Sequence, residues 1–427
     1  MNEYTIRITN DPNELYRLVQ SASDEELLNI INNYLNSHEI SDAFKDLINP
    51  ECLYNDILNA GKNKKSNKVV RQIIGNPTTC PFDNPDDPDN SITKSVRYIQ
   101  LLLIFDKFKI KEHTPMIVKD KCSSKEREII KPDFRDEQIV HHALIRIIQN
   151  NLTKGMYEYT CASIPNRGIH YAKKYVERCL KDTKNTKYVL KMDIKKFFNN
   201  ISHRILKKKL KKVIKDKRIL KILFEIIDST PKGLPLGFFT SQWFANYYLQ
   251  EIDHYIKERI LDDCDCNVNR THRHGAVYYI RYMDDMVIFG PNKRELHKLK
   301  ERLSYVLETE YKLTIKDNWE VFRFDYINKD GKRCGKCLDF VGFKFYRDKV
   351  IIRERIYKNI KKVEKELCKK VKKHQKISVS EACSMLSYYG FIKWSDTDTV
   401  YSRYLKPYIT LKDLTKIISE EFSQNSK

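Results

Sequence analysis

Residues 278–290 read YYIRYMDDMVIFG, two apolar runs joined by a very short polar interruption. Both runs are rich in β-branched and aromatic residues, which favour strands, and so short an interruption favours a tight turn. The segment therefore predicts a β-hairpin with Met283, Asp284 and Asp285 at its tip.

The two neighbouring carboxylates at this tip predict a metal site. Like charges a few ångströms apart repel each other, and a divalent cation between them relieves that repulsion. The alternative is an ordinary turn, in which each aspartate bonds nearby backbone and stays solvated.

A second acidic position follows residues 188–192, whose apolar pattern predicts a buried strand ending in Asp193. A carboxylate there costs free energy unless it faces a cleft or a metal. The alternative is a helix N-cap.

Between the two acidic sites, residues 233–249 carry two glycines and a proline ahead of a helical pattern. We expect Thr240 or Ser241 to cap this helix and the helix to run to about Arg259. A glycine-rich approach to a helix N-terminus suits close backbone contact with a phosphate or a base pair.

The chain is strongly basic. Its 427 residues contain 79 Lys and Arg against 57 Asp and Glu, a formal net charge of +22, with clusters at 207–212 and 369–373. An excess of this size indicates a polyanionic partner, above all a nucleic acid, although a basic solvated surface is the simpler alternative. The length allows two to four compact units.

Neither a secretory leader nor a membrane span is expected. Residues 1–7 have no apolar core, and nowhere do about eighteen apolar residues run together. The 11 cysteines are odd in number and scattered, which favours free thiols in a reducing compartment. We therefore expect a cytoplasmic protein with no membrane partner.

The N-terminal part is expected to be mostly helical. Residues 1–60 have helical spacing, with Asp11 and Ser23 as N-caps. The proline-rich residues 80–90 predict a loop. The remaining expectations for this part are a helix at 91–104, two strands within 110–130 around a polar turn at 120–125, and a turn followed by a helix at 131–144, in which His141 and His142 have packing roles.

Three motifs, in this order, resemble the polymerase core of reverse transcriptases. Residues 192–198 (MDIKKFF) resemble the first palm motif, residues 233–249 the second, and residues 282–285 (YMDD) the third. Weaker matches lie at 125–127 and 134–136 in the fingers, at 340–343 near the primer-grip hairpin, and in the basic helical C-terminal part. The resemblance covers roughly residues 50–410.

The second motif departs from the retroviral and group II intron pattern. It has Leu236-Gly237 and Ser241-Gln242 where those enzymes typically have Gln-Gly and Ser-Pro. The departure resembles the enzymes of diversity-generating retroelements and the bacterial antiphage, or "unknown group", reverse transcriptases. Residues 159–170 look closer to the antiphage branch. The sequence shows neither the retron signatures nor a maturase-endonuclease tail.

The resemblance implies an α+β right-hand polymerase. Its fingers and palm, with an antiparallel palm sheet carrying the YMDD hairpin, are followed by an α-helical thumb and preceded by a helical N-terminal extension. The implied limits are 1–60 for the extension, 61–180 for the fingers, 181–325 for the palm, and 326–427 for the primer-grip hairpin and thumb.

The resemblance also implies two-metal phosphoryl transfer. Asp193 and Asp284 would bridge two Mg²⁺ ions, or Mn²⁺ in their place, with Asp285 in support and the Ile194 carbonyl as a further ligand. Phe198 stands where this family places the bulky side chain that meets the sugar C2′, so dNTPs would be preferred. The alternative for Phe198 is an ordinary core aromatic.

Further site residues are implied around the substrates. The expected triphosphate contacts are Lys125 and Arg127, with Leu236 and Gly237 beside the dNTP. Arg135, Arg167 and Gln242 are weaker candidates for phosphate or template contact. The expected partners are a dedicated noncoding RNA template, a DNA primer or product, and dNTPs; the oligomeric state is open. The defence role rests on resemblance alone.

Other interpretations remain open. Cys264 and Cys266 with His272 and His274, or the Cys334 to Cys337 pair, suggest a zinc or RNA-binding module. The chain could also be a catalytically idle RNA-binding scaffold, a mutagenic retroelement polymerase, or an untemplated or protein-primed DNA polymerase.

Overall fold

The computed structural model describes residues 11–62, 64, 67–74, 91–119, 126–259, 277–397 and 400–424. It begins with a helical extension in which both expected caps are confirmed. Asp11 accepts a hydrogen bond from the Asn13 N–H, and Ser23 forms a capping box with Glu26. The helices are α1 Pro12–Ser21, α2 Asp24–Ser37, α3 Asp42–Leu47, α4 Pro50–Gly61 and α5 Lys68–Ile74.

The next elements form the fingers. The expected helix and the expected pair of strands are both confirmed, and the strands pair antiparallel. The turn expected at 120–125 and the loop expected at 80–90 lie outside the described residues. The elements are α6 Ser91–Ile104, β1 Met116–Lys119, β2 Glu126–Ile129, a π-helical turn Phe134–Gln138, and α7 Ile139–Thr153.

The extension packs on the fingers through apolar faces. Leu15 and Val19 of α1 and Leu27 and Ile31 of α2 are buried in a core shared with α6. Arg97 of α6 also pairs with Asp24 at 2.7 Å. The extension is therefore continuous with the core of the fingers.

The palm combines strands distant in sequence. Its elements are β3 Thr160–Cys161, α8 Ile169–Leu180, β4 Tyr188–Asp193, α9 Phe197–Asn200, α10 His203–Val213, α11 Lys217–Asp228, α12 Phe239–Tyr248, α13 Gln250–His254, a π-helical turn Tyr255–Arg259, β5 Tyr278–Tyr282, β6 Asp285–Gly290, α14 Lys293–Glu310 and β7 Glu320–Arg323.

The five-stranded sheet has the order β3-β5-β6-β4-β7. All neighbours are antiparallel except β3 and β5, so a short parallel edge strand is added to the antiparallel sheet that was expected. Side chains alternate between the two faces of the sheet. On β6, Met286 and Ile288 enter the core shared with the fingers, while Val287 and Phe289 enter a second core with α8. Both faces are thus covered.

The helix after the glycine-rich segment differs from the expectation in two ways. Thr240 and Ser241 do not cap it; both are buried inside α12, and the Thr240 hydroxyl hydrogen-bonds His141. The helix also breaks at Leu249 instead of running unbroken to Arg259. Just before the break, the Tyr248 carbonyl accepts a hydrogen bond from the Lys209 ammonium, which satisfies a carbonyl at the helix end.

Five small strands and a helical thumb follow the palm. The hairpin at 338–345 turns at Val341 and Gly342, both with positive φ, and the thumb helices enclose a third core. The elements are β8 Tyr326–Ile327, β9 Arg333–Cys334, β10 Leu338–Phe340, β11 Phe343–Phe345, β12 Val350–Ile352, α15 Glu354–Lys372, α16 Val379–Lys393, a π-helical turn Tyr401–Leu405, and α17 Leu411–Gln424.

The architecture is the expected right-hand arrangement of fingers, palm and helical thumb with a helical N-terminal extension. The described residues include no helix that combines the length and apolarity needed to span a membrane.

Candidate active site

The three predicted catalytic aspartates come together at one end of the palm sheet. Antiparallel pairing of β4 with β6 sets Asp193 opposite Asp285. Asp284 lies in the turn between β5 and β6, and its carbonyl accepts a hydrogen bond from the Ile194 N–H at 3.4 Å. Two segments distant in sequence thus supply one acidic cluster.

The turn that carries Asp284 has an unusual backbone. Met283 has a φ of +58°, the left-handed region that is uncommon for residues other than glycine. Its N–H donates to the Cys161 carbonyl at 3.2 Å, and its carbonyl accepts from Arg281 at 2.9 Å. Both backbone groups of this residue are therefore held by the surrounding structure.

Two lysines face the cluster from neighbouring segments. Lys316 lies 2.5 Å from one oxygen of Asp193, and Lys191 lies 4.0 Å from one oxygen of Asp285. The other oxygen of each carboxylate is buried and has no hydrogen-bond partner among the described residues. The lysines thus compensate only part of the negative charge of the site.

Burial alters the protonation of the hairpin pair. Burial raises the pKa of Asp285 to about 6, against the effect of Lys191. Burial, followed by the nearby Asp193 charge, raises the pKa of Asp284 well above its usual range. A bound cation would act in the opposite direction, because it favours the ionised carboxylates.

The residues present fit a divalent metal such as Mg²⁺. The donors are hard carboxylate oxygens, and the buried oxygens of Asp193 and Asp285 lack any other described partner. Within the described ranges, no group of three His, Cys, Asp or Glu side chains is already set for a metal ion.

A glycine-rich loop joins the predicted nucleotide residues. Gly233 has a φ of +74°, and a Cβ there would lie 2.4 Å from the Phe198 carbonyl. Gly237 has a φ of +111°, and a Cβ there would lie 2.1 Å from the Ile130 carbonyl at the end of the fingers hairpin. Leu236 accepts a hydrogen bond from the Ile130 N–H at 2.7 Å. Glycine is required at both positions because backbone from another segment occupies the space of a side chain.

Phe198 is half-buried, with its ring edge-on to Phe197 at 5.6 Å between centroids. Its carbonyl accepts a hydrogen bond from the Leu234 N–H at 2.8 Å. The structure therefore brings Phe198, Leu236 and Gly237 to one loop that touches both palm and fingers.

The other predicted contact residues are dispersed. Arg127 lies exposed on β2, Gln242 lies exposed on α12, and Lys125 lies outside the described residues. The Arg135 guanidinium pairs with Asp136 at 2.6 Å and lies over the Tyr16 ring at 3.9 Å. Arg167 donates to the Tyr157 carbonyl at 3.0 Å. Both arginines thus have intramolecular partners.

The proposed zinc ligands are described only in part. Cys264, Cys266, His272 and His274 lie outside the described residues. Cys334 and Cys337 are half-buried free thiols.

The expected packing role of the paired histidines agrees with their surroundings. His141 is buried beside Phe238, and burial lowers its pKa to about 3, so the ring is neutral. His142 stacks on Phe239 with ring centroids 4.1 Å apart.

Sequence reasoning missed Lys316 and the internal partners of Arg281. Lys316 is brought to the site by an isolated β-bridge between Ile194 and Ile315, and no local sequence pattern predicts this bridge. Arg281 did leave a signal, because a charged residue within an otherwise apolar strand needs a buried partner.

Solved structures that are similar to this chain include telomerases. The chain is similar to a telomerase from Candida albicans in complex with a TWJ fragment of telomeric RNA (TM-score 0.41, 12% identity, 78% of this chain and 67% of that chain). It is also similar to an apo telomerase from Candida tropicalis (TM-score 0.41, 12% identity, 97% of this chain and 83% of that chain).

Among curated proteins, the chain is 25% identical over 238 residues to Protein YkfC of Escherichia coli K12, covering 49% of this chain and 62% of that protein. It is 27% identical over 152 residues to the group II intron-encoded protein LtrA of Lactococcus lactis subsp. cremoris, covering 33% and 24%. The chain thus spans less than two thirds of the length of either relative.

The family comparison covers the acidic cluster itself. Residues 119–324 match the model of the family described as reverse transcriptase (RNA-dependent DNA polymerase), a segment that includes Asp193, Asp284 and Asp285. This stretch of the chain, 119–324, is thus similar to reverse transcriptases.

Proposed function

We propose that this chain is an RNA-directed DNA polymerase that copies a dedicated noncoding RNA into DNA, in bacterial antiphage defence. The observation that best supports the polymerase is the convergence of Asp193, Asp284 and Asp285 at one end of the sheet, within the segment that matches the reverse transcriptase family. The defence role is supported only by the resemblance of residues 159–170 and 236–242 to antiphage enzymes.

In this proposal the three aspartates and the Ile194 carbonyl hold two Mg²⁺ ions, for which Mn²⁺ can substitute. When bound, the ions would supply the positive charge that favours attack by a primer 3′-hydroxyl and stabilises the pyrophosphate leaving group. The buried carboxylate oxygens without another described partner support this assignment.

The nucleotide would lie against the glycine-rich loop. Phe198 is assigned to the space beside the sugar C2′, where a ring excludes a 2′-hydroxyl and so selects dNTPs. Leu236 and Gly237 are assigned to the same nucleotide, and Arg127 and Lys125 to its triphosphate. The contacts of the loop with both Phe198 and the fingers hairpin support this grouping.

Nucleic acid would lie along the basic surfaces. The thumb helix α15 is rich in lysine, with Lys369, Lys370 and Lys372 in its last turn, and such a face suits a phosphate backbone. Gln242 is the exposed candidate for template contact, and Arg135 and Arg167 would have to give up present partners to serve in that role. The limits assigned to extension, fingers, palm and thumb belong to the proposal as well.

The test is to express the wild type with its native flanking DNA and to sequence all RNA and DNA that copurify. A variant with Asp284→Ala and Asp285→Ala removes the hairpin carboxylates. Asp330→Ala, an exposed aspartate in the turn between β8 and β9, is the matched control. Primer extension on an RNA template with Mg²⁺ and dNTPs is measured in parallel.

We expect one abundant RNA with all three proteins, and its complementary DNA only with the wild type and Asp330→Ala. DNA unrelated to that RNA would point to untemplated or protein-primed synthesis. DNA with frequent substitutions would point to a mutagenic retroelement enzyme. A double variant that made no DNA and yet kept the biological effect would replace the proposal with an RNA-binding scaffold.

A further inference from the structure

Arg281 is the largest fully buried side chain among the described residues. It lies on β5 between the apolar Ile280 and Tyr282, two residues before the strained Met283. Its partner is Asp253 of α13, which is also fully buried. The pairing is bidentate, from Nε to one carboxylate oxygen at 2.7 Å and from Nη2 to the other at 2.5 Å.

The ion pair is tied to three further side chains. Nη1 of Arg281 donates to the side-chain oxygen of Asn246 on α12 at 3.0 Å. The Asp253 carboxylate also accepts from the Thr160 hydroxyl at 2.8 Å and the Tyr279 hydroxyl at 2.7 Å. The guanidinium plane is therefore fixed from both helices behind the sheet.

From this fixed position Arg281 reaches the catalytic turn. Its Nη1 donates to the Met283 carbonyl at 2.9 Å, and the Met283 N–H is held by the Cys161 carbonyl at 3.2 Å. A non-glycine residue with φ of +58° persists only where the surroundings enforce it. Asp284 follows directly, so the conformation of Met283 sets where the first hairpin carboxylate points.

We propose that Arg281 is a positioning residue, which holds the Met283 carbonyl and thereby places Asp284 and Asp285 for catalysis. Its hydrogen bonds go to Asp253, Asn246 and Met283, so it acts on the two carboxylates through the backbone of the turn. The kinetic part of this inference rests on the proposed polymerase function. A buried ion pair of this kind contributes little net stability, because desolvation offsets its attraction. Its cost is better explained by the geometry that it imposes on the turn.

If Arg281 only stabilised the fold, removing another hydrogen bond to the Asp253 carboxylate would lower activity equally for the same loss of stability. Tyr279→Phe removes a hydrogen bond to Asp253 from the same strand and leaves the bond to Met283 intact. Arg281→Lys keeps the charge, but a single ammonium cannot span Asp253 and the Met283 carbonyl as the guanidinium fork does. The two variants therefore separate positioning from stability.

A further variant tests the proposal without leaving an unpaired buried charge that could unfold the protein. Arg281→Met combined with Asp253→Asn leaves no unpaired buried charge. The introduced amide accepts from one of the hydroxyls of Thr160 and Tyr279 through its oxygen and donates to the other through its NH2 group. This double variant lacks the ionic clamp and the Arg281 donors to Met283 and to Asn246.

For each protein we would measure thermal unfolding, kcat and the dNTP KM, and amide hydrogen exchange of segment 278–290 without metal. For Arg281→Lys and the double variant we expect kcat to fall about 10- to 100-fold, as for a reacting group displaced by about an ångström, with KM nearly unchanged. Exchange in 278–290 should rise in both. Tyr279→Phe should keep kcat and the hydrogen exchange of 278–290 near their wild-type values, even if its unfolding temperature drops as far as that of Arg281→Lys.

Equal kcat losses in Tyr279→Phe and Arg281→Lys at equal unfolding temperatures would overturn the positioning role. If the wild type has no polymerase activity, the proposed function fails, and hydrogen exchange alone decides. Faster exchange in Arg281→Lys than in Tyr279→Phe would then support the clamp, and equal exchange would overturn it.

Discussion

Glu364 lies on the basic thumb helix α15, yet its side chain points inward, and replacing it with glutamine should make the protein less sensitive to alkaline pH. The residue is 2% exposed, and neither carboxylate oxygen has a hydrogen-bond partner among the described residues. Lys361 lies 3.9 Å away. Burial raises the pKa of Glu364 to about 7, although Lys361 opposes the shift.

The sign and size of the effect follow from this pKa. The ordinary value is 4.5, so between about pH 4.5 and 7 the folded chain binds more protons at this site than the unfolded chain. The free energy of unfolding therefore falls as the pH rises through this range. At about 1.4 kcal/mol per pKa unit, the upper bound is about 3.5 kcal/mol. Partial screening of the site by water reduces this to about 1–3 kcal/mol.

Glutamine keeps the shape of the side chain but cannot ionise. We expect Glu364→Gln to gain about 1–3 kcal/mol relative to wild type between about pH 5 and about pH 8.5, measured by urea unfolding of the full chain. Comparing the two pH values cancels any constant cost of burying the amide. Glu366→Gln, at an exposed position of the same helix, should follow the wild type at both. If the difference between Glu364→Gln and wild type were the same at both pH values, the reasoning would be refuted.

Three further predictions concern the site. Phe198→Ala should raise incorporation of rNTPs relative to dNTPs by at least about 10-fold in primer extension, since about 1.4 kcal/mol of steric exclusion is lost; Phe197→Leu, a buried neighbour, should not. Gly237→Ala should raise the KM for dNTPs, because its Cβ would lie 2.1 Å from the Ile130 carbonyl of the fingers. The control Gly331→Ala, whose Cβ would have no atom within 4 Å, should cost only about 1 kcal/mol of backbone strain. Lys316→Met should lower the half-saturating Mg²⁺ concentration, because this lysine competes for a catalytic carboxylate; an unchanged or raised value would contradict this.

Local sequence was sufficient where neighbouring residues decide the structure. The hairpin at 278–290 follows from the alternation of its side chains and the shortness of its polar tip. The caps Asp11 and Ser23 follow from hydrogen bonds that span only a few residues. The helix at Ser91–Ile104 follows from its apolar spacing. The candidate carboxylates were also identified from their place next to predicted strands.

Tertiary structure decided what joins distant segments. Thr240 looked like a helix cap, but the fold buries it and pairs its hydroxyl with His141, so a local rule was overruled by packing. The need for glycine at 237 depends on the Ile130 carbonyl, which belongs to a segment far earlier in the chain.

The acidic site depends on the same long-range pairing. Asp193 meets the hairpin carboxylates only because β4 and β6 pair in one register; a shift by one residue would turn its side chain to the other face of the sheet. The clamp on Met283 likewise needs Asp253 and Asn246, from helices behind the sheet, to fix the Arg281 guanidinium. Sequence alone thus determined which residues are candidates for the chemistry, whereas strand register and buried pairing determined where those residues point.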